Sequence, residues 1–286
     1  AFRQRAEVNK HFGGRTEMID RQQIKELVPC LNLDPAHLPV LAGLWHMDGA
    51  TARHDAVAWG YAKEAAKRGV EIHQLTEVQD FVTEKNQVTA VKTNRGSIKC
   101  GCVVQAIAGA SSILMNKLHI KSPIHTFPLQ AMVSQPFKPF INPLVSSSAL
   151  HCYVQQTSRG EIVFGGGSDP YPLYNTRSTL DLKESLLAHA IEMFPFMANV
   201  KLMRQWAGMT DMTPDYSPIM GKSPYDNYYL DAGWGTWGFK STPICGKTMA
   251  ELVATGRTPD LIKPFELSRF SRFQQVNEMG ATAASH

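Results

Sequence analysis

The stretch TARHDAVAWGYAKEAAKRGVEIHQL, residues 51–75, decides how this chain is read. Its apolar and small positions recur at helical spacing over residues 52–68. Val57, Tyr61 and Ala65 share one face, with Ala58, Ala62 and Ala66 beside them. Gly69 stands where a helix closes in the left-handed conformation. Residues 70–75 then alternate as a strand does, so the stretch is a helix-to-strand unit of α/β type.

Working outward, residues 78–83 and 88–93 read as a hairpin around 84–87, followed by an Asn94-Arg95-Gly96 turn. Residues 103–108 form an apolar run bounded by glycines, suited to a buried strand, and Ser111 or Ser112 can cap a helix through residue 118. Upstream, residues 1–10 read as a polar helix, residues 20–27 as a helix ended by Pro29, and residues 39–45 as a strand. From about 123 to 169 the texture changes. Residues 130–136, 150–156 and 161–165 are β-rich and separated by turn residues, as in an antiparallel sheet. A helix over 181–194 and a strand over 201–209 follow. Residues 228–231 return to strand, then come glycines and a helix to about residue 254. The expected fold class is α/β (α+β): one α/β domain interrupted by a mainly antiparallel one.

Composition narrows the function. With 286 residues, 43% hydrophobic and 19% charged, the chain is neither collagen-like, coiled-coil nor disordered. Its most apolar run, residues 102–114, is too short to span a membrane. The net charge of +4 is dispersed, without the dense basic stripe of a nucleic-acid binder. Cys100 and Cys102 form a lone C-x-C with no second ligand pair, so no metal site is expected, and five cysteines are not a disulfide framework. No signal segment is visible, and the cysteine usage suits a reducing compartment, which points to the cytoplasm. The chain opens with Ala1 inside an element, so a segment upstream is expected.

Two places carry chemistry. Thr51 is a natural N-cap for the long helix, which puts His54 at its third position with Arg53 beside it. The positive end of a helix suits an anion and disfavours a second positive charge on imidazole; Arg53 adds a fixed cation. The plain alternative is a surface capping turn. The second place is GWGTWGFK, residues 233–240, between a strand and a helix. Gly233, Gly235 and Gly238 match G-x-G-x-x-G literally, yet no second parallel strand follows, so a self-contained NAD site does not fit. The glycines instead let backbone approach a flat ligand, Trp234, Trp237 and Phe239 supply aromatic walls, and Lys240 is a cation at the rim, suited to a carboxylate or to negative charge on a reduced ring. The plain alternative here is a packed Gly/Trp turn. The triplet Gly165-Gly166-Gly167 precedes Asp-Pro rather than a helix and reads as a turn.

Several segments together resemble the beta subunit of heterotetrameric sarcosine oxidase, within the FAD-dependent glycine oxidase/D-amino-acid oxidase superfamily. They are ELVP (26–29), GATARHDAVAWG (49–60), GGGSD (165–169), RQWAG (204–208), TPD (213–215), GWGTWGFKSTP (233–243) and the tail GATAASH (280–286). The resemblance implies an FAD-binding domain made of residues 48–122 and 216–286 and a substrate domain made of 1–47 and 123–215. It also implies that the family's N-terminal βαβ unit, which holds the FAD pyrophosphate, lies outside this chain. By the same resemblance His54 carries FMN covalently at the flavin 8α-carbon, Arg53 assists with its charge, and Val78 touches the adenosine side of FAD. Gly235, Gly238 and Lys240 line the flavin, and Lys240 meets the substrate carboxylate. The implied activity is oxidative demethylation of sarcosine to glycine, with electrons passing from FAD to FMN and on to O2 as hydrogen peroxide. The implied partners are alpha, gamma and delta subunits, the alpha subunit carrying NAD and folate sites. An oxidase using FAD alone, or a non-catalytic assembly fragment, are the competing readings. Trp237 departs from the family, where glycine is usual.

Overall fold

The computed structural model describes residues 2–36 and 38–276; the GATAASH tail lies outside them. The chain begins with α1 (Phe2–His11), β1 (Thr16–Ile19), α2 (Arg21–Leu27) and β2 (Gly43–His46). The start of α2 is set by a capping box. The Asp20 carboxylate accepts the Gln23 N–H at 2.9 Å, and the Gln23 side chain accepts the Asp20 N–H at 3.0 Å. Strands β1 and β2 pair antiparallel; of residues 39–45, only the last three belong to β2.

Next come α3 (His54–Ala66), the antiparallel meander β3 (Val78–Glu84), β4 (Gln87–Thr93) and β5 (Gly96–Lys99), then β6 (Val103–Gln105) and α4 (Ser111–Lys117). The antiparallel half contains β7 (His125–Pro136), β8 (Val145–Ser147), β9 (Cys152–Gln156), β10 (Glu161–Ser168), α5 (Leu180–Met193) and β11 (Leu202–Met212). The chain closes with β12 (Ile219–Lys222), β13 (Tyr228–Ala232) and α6 (Gly238–Thr255). Strands β11-β7-β10-β9-β8 form one antiparallel sheet in that order, and β12-β13-β6 form a second, in which β13 and β6 run parallel.

Period-2 alternation gives the large sheet two faces. Met132, Val154, Ile162 and Phe164 point to one side and are buried against Leu186, Ala190 and Met193 of α5. The second core lies between the meander, α4 and the parallel pair, around Phe81, Val88, Met115, Tyr228 and Leu230. The Asn227 side chain ties these elements together: it donates to the carbonyls of Val88 and Gly101 at 2.8 Å and accepts the Val88 N–H at 2.8 Å.

Four local expectations need correction. Residues 70–75 are not a strand, because no strand lies beside them among the described residues; Val70, Ile72 and Leu75 are exposed. The helix α3 has the sequence of an amphipathic helix but buries no residue, and Trp59 and Tyr61 on it are exposed. Ser111 and Ser112 do not cap α4; they lie inside it, both buried, behind a 3-10 turn over Ala108–Ala110. Gly165, Gly166 and Gly167 are not a turn but part of β10, where the register slips between Gly165 and Ser168. Gly166 has φ +131°, and a Cβ on it would lie 2.5 Å from the His151 carbonyl oxygen, so only glycine fits this bulge.

Candidate functional site

The free face of the large sheet is built row by row. Register places Trp206 (β11), Ala131 (β7), Gly165 (β10) and Tyr153 (β9) side by side across four strands. Small residues occupy the centre of this row and aromatic side chains flank it, so the sheet presents a shallow trough. Facing it is the segment between β13 and α6. Gly233 (φ +73°) and Gly235 (φ +53°) take left-handed conformations that fold this segment sharply before the helix.

Asp211, near the end of β11, fastens the loop. Its buried carboxylate accepts the Gly233 N–H at 2.6 Å and the Gly235 N–H at 3.3 Å, and its carbonyl accepts the Gly235 N–H at 2.9 Å. Burial pushes the Asp211 carboxyl up, and the backbone N–H donors, Gly233 first, pull it part of the way back. Asp231 behaves alike: burial raises it, against the Trp234 indole N–H that it accepts at 2.6 Å. Because the folded Asp211 carboxyl binds its proton more tightly than in the unfolded chain, the proton-linked part of its contribution is present below its ordinary pKa and declines as pH rises through the raised value, while the N–H bonds that it accepts persist in the ionised form. Asp211→Ala would leave the buried Gly233 N–H without its acceptor. It is expected to cost about 1–3 kcal/mol, with Asp211→Asn losing less. Urea unfolding at neutral pH checks this: an alanine variant as stable as its parent would show that the loop is not held through this carboxylate.

Between sheet and loop lies a cleft of about 810 Å³, with Ala131, Tyr153, Trp206, Trp234, Thr236 and Phe239 on its walls. Gly208 and Gly246 also line it, and a Cβ on either would meet nothing within 4 Å, so both leave room open to a ligand. An adjoining pocket of about 510 Å³, reached past Leu129, Thr210 and Thr236, is lined by His125, His151 and Tyr216.

Of the residues singled out from sequence, Gly235 and Gly238 line the cleft, as do Trp234 and Phe239 of the expected aromatic walls. Trp237 and Lys240 do not: the Lys240 ammonium sits over the Trp237 ring, 4.0 Å from its centroid. Val78 opens β3 and packs at the edge of the second core, also away from the cleft. Thr51 is not the N-cap of α3. Arg53 occupies that position, and the first helical bond runs from the Val57 N–H to the Arg53 carbonyl at 3.1 Å, which makes His54 the first helical residue rather than the third. The His54 ring is exposed and makes no hydrogen bond among the described residues. Arg53 is paired with Asp55 at 2.8 Å, and this pair, with the Ala56 N–H, holds the Asp55 carboxyl below the usual range. His54 and Arg53 are not cleft residues, so the two places stay separate in the described structure.

Other histidines have local roles: His46 meets Thr16 at 2.8 Å and His73 meets Glu71 at 3.1 Å. Sequence reading missed Asp211 and Tyr153. An acidic residue at the end of an otherwise apolar strand was the available sign for Asp211; Tyr153 carried none beyond its strand parity. Among the described residues there is no group of three or more His, Cys, Asp or Glu that could hold a metal, and no helix is long and apolar enough to cross a membrane.

The chain that builds this aromatic, glycine-lined cleft at a strand-to-helix loop is a flavin oxidoreductase by family: it belongs to the FAD dependent oxidoreductase family, whose model matches residues 1–252. It is 43% identical to sarcosine oxidase subunit beta of Rhodobacter capsulatus over 271 residues, 95% of this chain and 65% of that protein. It is 40% identical to sarcosine oxidase subunit beta of an Arthrobacter species, over 99% of this chain and 70% of that protein. Among solved structures, L-proline dehydrogenase from P. horikoshii matches with a TM-score of 0.88 at 30% identity, covering 96% of this chain and 74% of that one. The chain spans about two thirds of the length of the curated relatives it matches.

Proposed function

We propose that this chain is the part of a sarcosine oxidase beta subunit that forms the flavin cleft and meets the substrate, in an enzyme that demethylates sarcosine to glycine and reduces O2 to hydrogen peroxide. The observation that carries this reading is the cleft itself: a trough with an Ala131–Gly165 centre, a fastened glycine loop opposite, and Gly208 and Gly246 leaving its walls open. Those features fit a flat, tricyclic ring. Gly235 and Gly238 would let backbone lie against FAD, Val78 would sit on its adenosine side, and Lys240 would receive the carboxylate of the amino acid. His54, exposed and free of hydrogen bonds among the described residues, would carry FMN, with Arg53 near the flavin's charge. What bound flavin would supply is hydride acceptance from the N-methyl carbon and delivery of two electrons, by way of the second flavin at His54, to O2.

Residues 48–122 and 216–286 then form the FAD-binding part, and 1–47 and 123–215 the substrate part. The active enzyme is a cytoplasmic heterotetramer with alpha, gamma and delta subunits, NAD and folate sites lying on alpha. Acid precipitation of the purified protein tests the cofactor assignment. Flavin colour retained in the pellet, together with colour released to the supernatant, supports covalent FMN beside extractable FAD. Release of all colour indicates an FAD-only oxidase, and a colourless preparation indicates a non-catalytic assembly subunit; either result overturns the proposal.

A further inference from the structure

Trp237 stands where the family resemblance leads one to expect glycine, and the structure gives it a partner. Residues 237 and 240 are one helical turn apart at the start of α6, and the Lys240 ammonium lies over the indole face, 4.0 Å from the ring centroid. Tryptophan is the aromatic side chain that attracts a cation most strongly. The ring is held in place: its backbone N–H donates to the Trp234 carbonyl at 2.9 Å, Trp234 is tied to Asp231, and the Trp237 indole nitrogen is buried. Neither Trp237 nor Lys240 lines the cleft or the adjoining pocket, whereas Thr236 lines both, and Gly238 and Phe239 line the cleft. The loop therefore turns its backbone and its other aromatic residues toward the ligand space, and turns this pair away from it.

We propose that Trp237 is a positioning residue that holds the Lys240 ammonium off the cleft, so that a substrate carboxylate must draw the lysine from the indole face before engaging it. This deepens the reading of Lys240 as the carboxylate contact and rests on it. The indole and the substrate compete for one cation, so apparent affinity is lowered by the fraction of lysine held on the ring. Trp237 thereby tunes the enzyme for high concentrations of its amino-acid substrate.

The test uses the flavin-loaded protein and two variants, Trp237→Gly and Trp237→Phe. Trp237 is the N-cap of α6, a position that accepts glycine, so the first variant is expected to fold. The first readout is the rate of reductive methylation of Lys240, followed by peptide mass spectrometry. It is expected to rise about two- to fivefold in Trp237→Gly and to stay within about twofold of the parent in Trp237→Phe, which keeps an aromatic face. The second is steady-state kinetics with sarcosine: KM is expected to fall about two- to fivefold in Trp237→Gly with kcat unchanged, and to remain near the parent in Trp237→Phe. An unchanged labelling rate in the glycine variant overturns the proposal. So does faster labelling with an unchanged KM, or a loss of kcat. Labelling needs no flavin. If His54 proves unmodified or sarcosine is not turned over, the proposed function fails by itself, and the labelling ratio still decides whether the indole holds the lysine.

Discussion

His54→Ala is expected to remove every trace of acid-stable flavin from the protein while leaving its unfolding midpoint unchanged. The first half follows from chemistry: covalent attachment needs an unprotonated ring nitrogen, and Arg53, the neighbouring nitrogen base, is a guanidinium occupied by Asp55 at 2.8 Å. The second half follows from packing. The helix α3 buries none of its residues, and the His54 ring makes no hydrogen bond among the described residues, so none of the three buried clusters loses a contact. Flavin absorbance in the acid pellet, compared with that in the supernatant, is the measurement, with thermal unfolding as the control. The extractable flavin should be unaffected, because the cleft does not include His54. A variant pellet as yellow as the parent's would end the assignment of FMN to this residue.

Asp215→Ala is expected to be the most destabilising single substitution near the site, at about 3–5 kcal/mol. Asp215 and Arg269 are both fully buried and form a two-bond pair, from Arg269 Nε at 2.8 Å and Nη2 at 2.9 Å. The guanidinium is otherwise satisfied by the carbonyls of Phe265, Glu266 and Ser217 and stacks on Phe270, while the Asp215 carboxylate also accepts the Val276 N–H at 3.1 Å. The pair thus fastens the last described segment, after α6, to the turn that follows β11. Removing the carboxylate strands a buried cation, whose desolvation is no longer offset. For a chain of this size the melting temperature should fall by roughly 10 °C. A fall of less than a couple of degrees would show that the segment is held by other contacts. Burial alone would raise the Asp215 carboxyl; the Arg269 bonds outweigh it and hold the group below the usual range. The pair's contribution is therefore complete above the ordinary carboxylate pKa of about 3.9 and is lost as pH falls through the lower folded value. The sign is opposite to that of Asp211, and the difference comes from the partner: a guanidinium in one case, backbone N–H groups in the other.

These two residues also mark how far sequence reading reached. Thr-Pro-Asp was recognisable as a family segment, but the role of Asp215 depends on Arg269, 54 positions away, and no local pattern links them. Gly233, Gly235 and Gly238 could be placed in a strand-to-helix loop because the requirement is local: a strand end, a helix start, and glycines between. Gly165 was misread for the opposite reason. Its use comes from lying between Ala131 and Tyr153 on neighbouring strands, and a triplet of glycines taken alone resembles a turn. Lys240 was expected at the rim of a ligand space, and its seat on the Trp237 ring, off the cleft, was not legible.

The sequence by itself determined the order and type of most elements, the α/β texture broken by an antiparallel sheet, and the family. The elements and the texture are written in spacing over a few turns or a few strands, and the family in the resemblance of whole segments. Tertiary structure alone decided that residues 70–75 form no strand, that His54 opens its helix and stands apart from the cleft, and that Asp211 and Asp215 anchor the loop and the C-terminal segment. Those outcomes depend on which distant groups come within hydrogen-bonding reach after the sheets pack, and pairwise contacts of that kind leave no periodic trace in the chain.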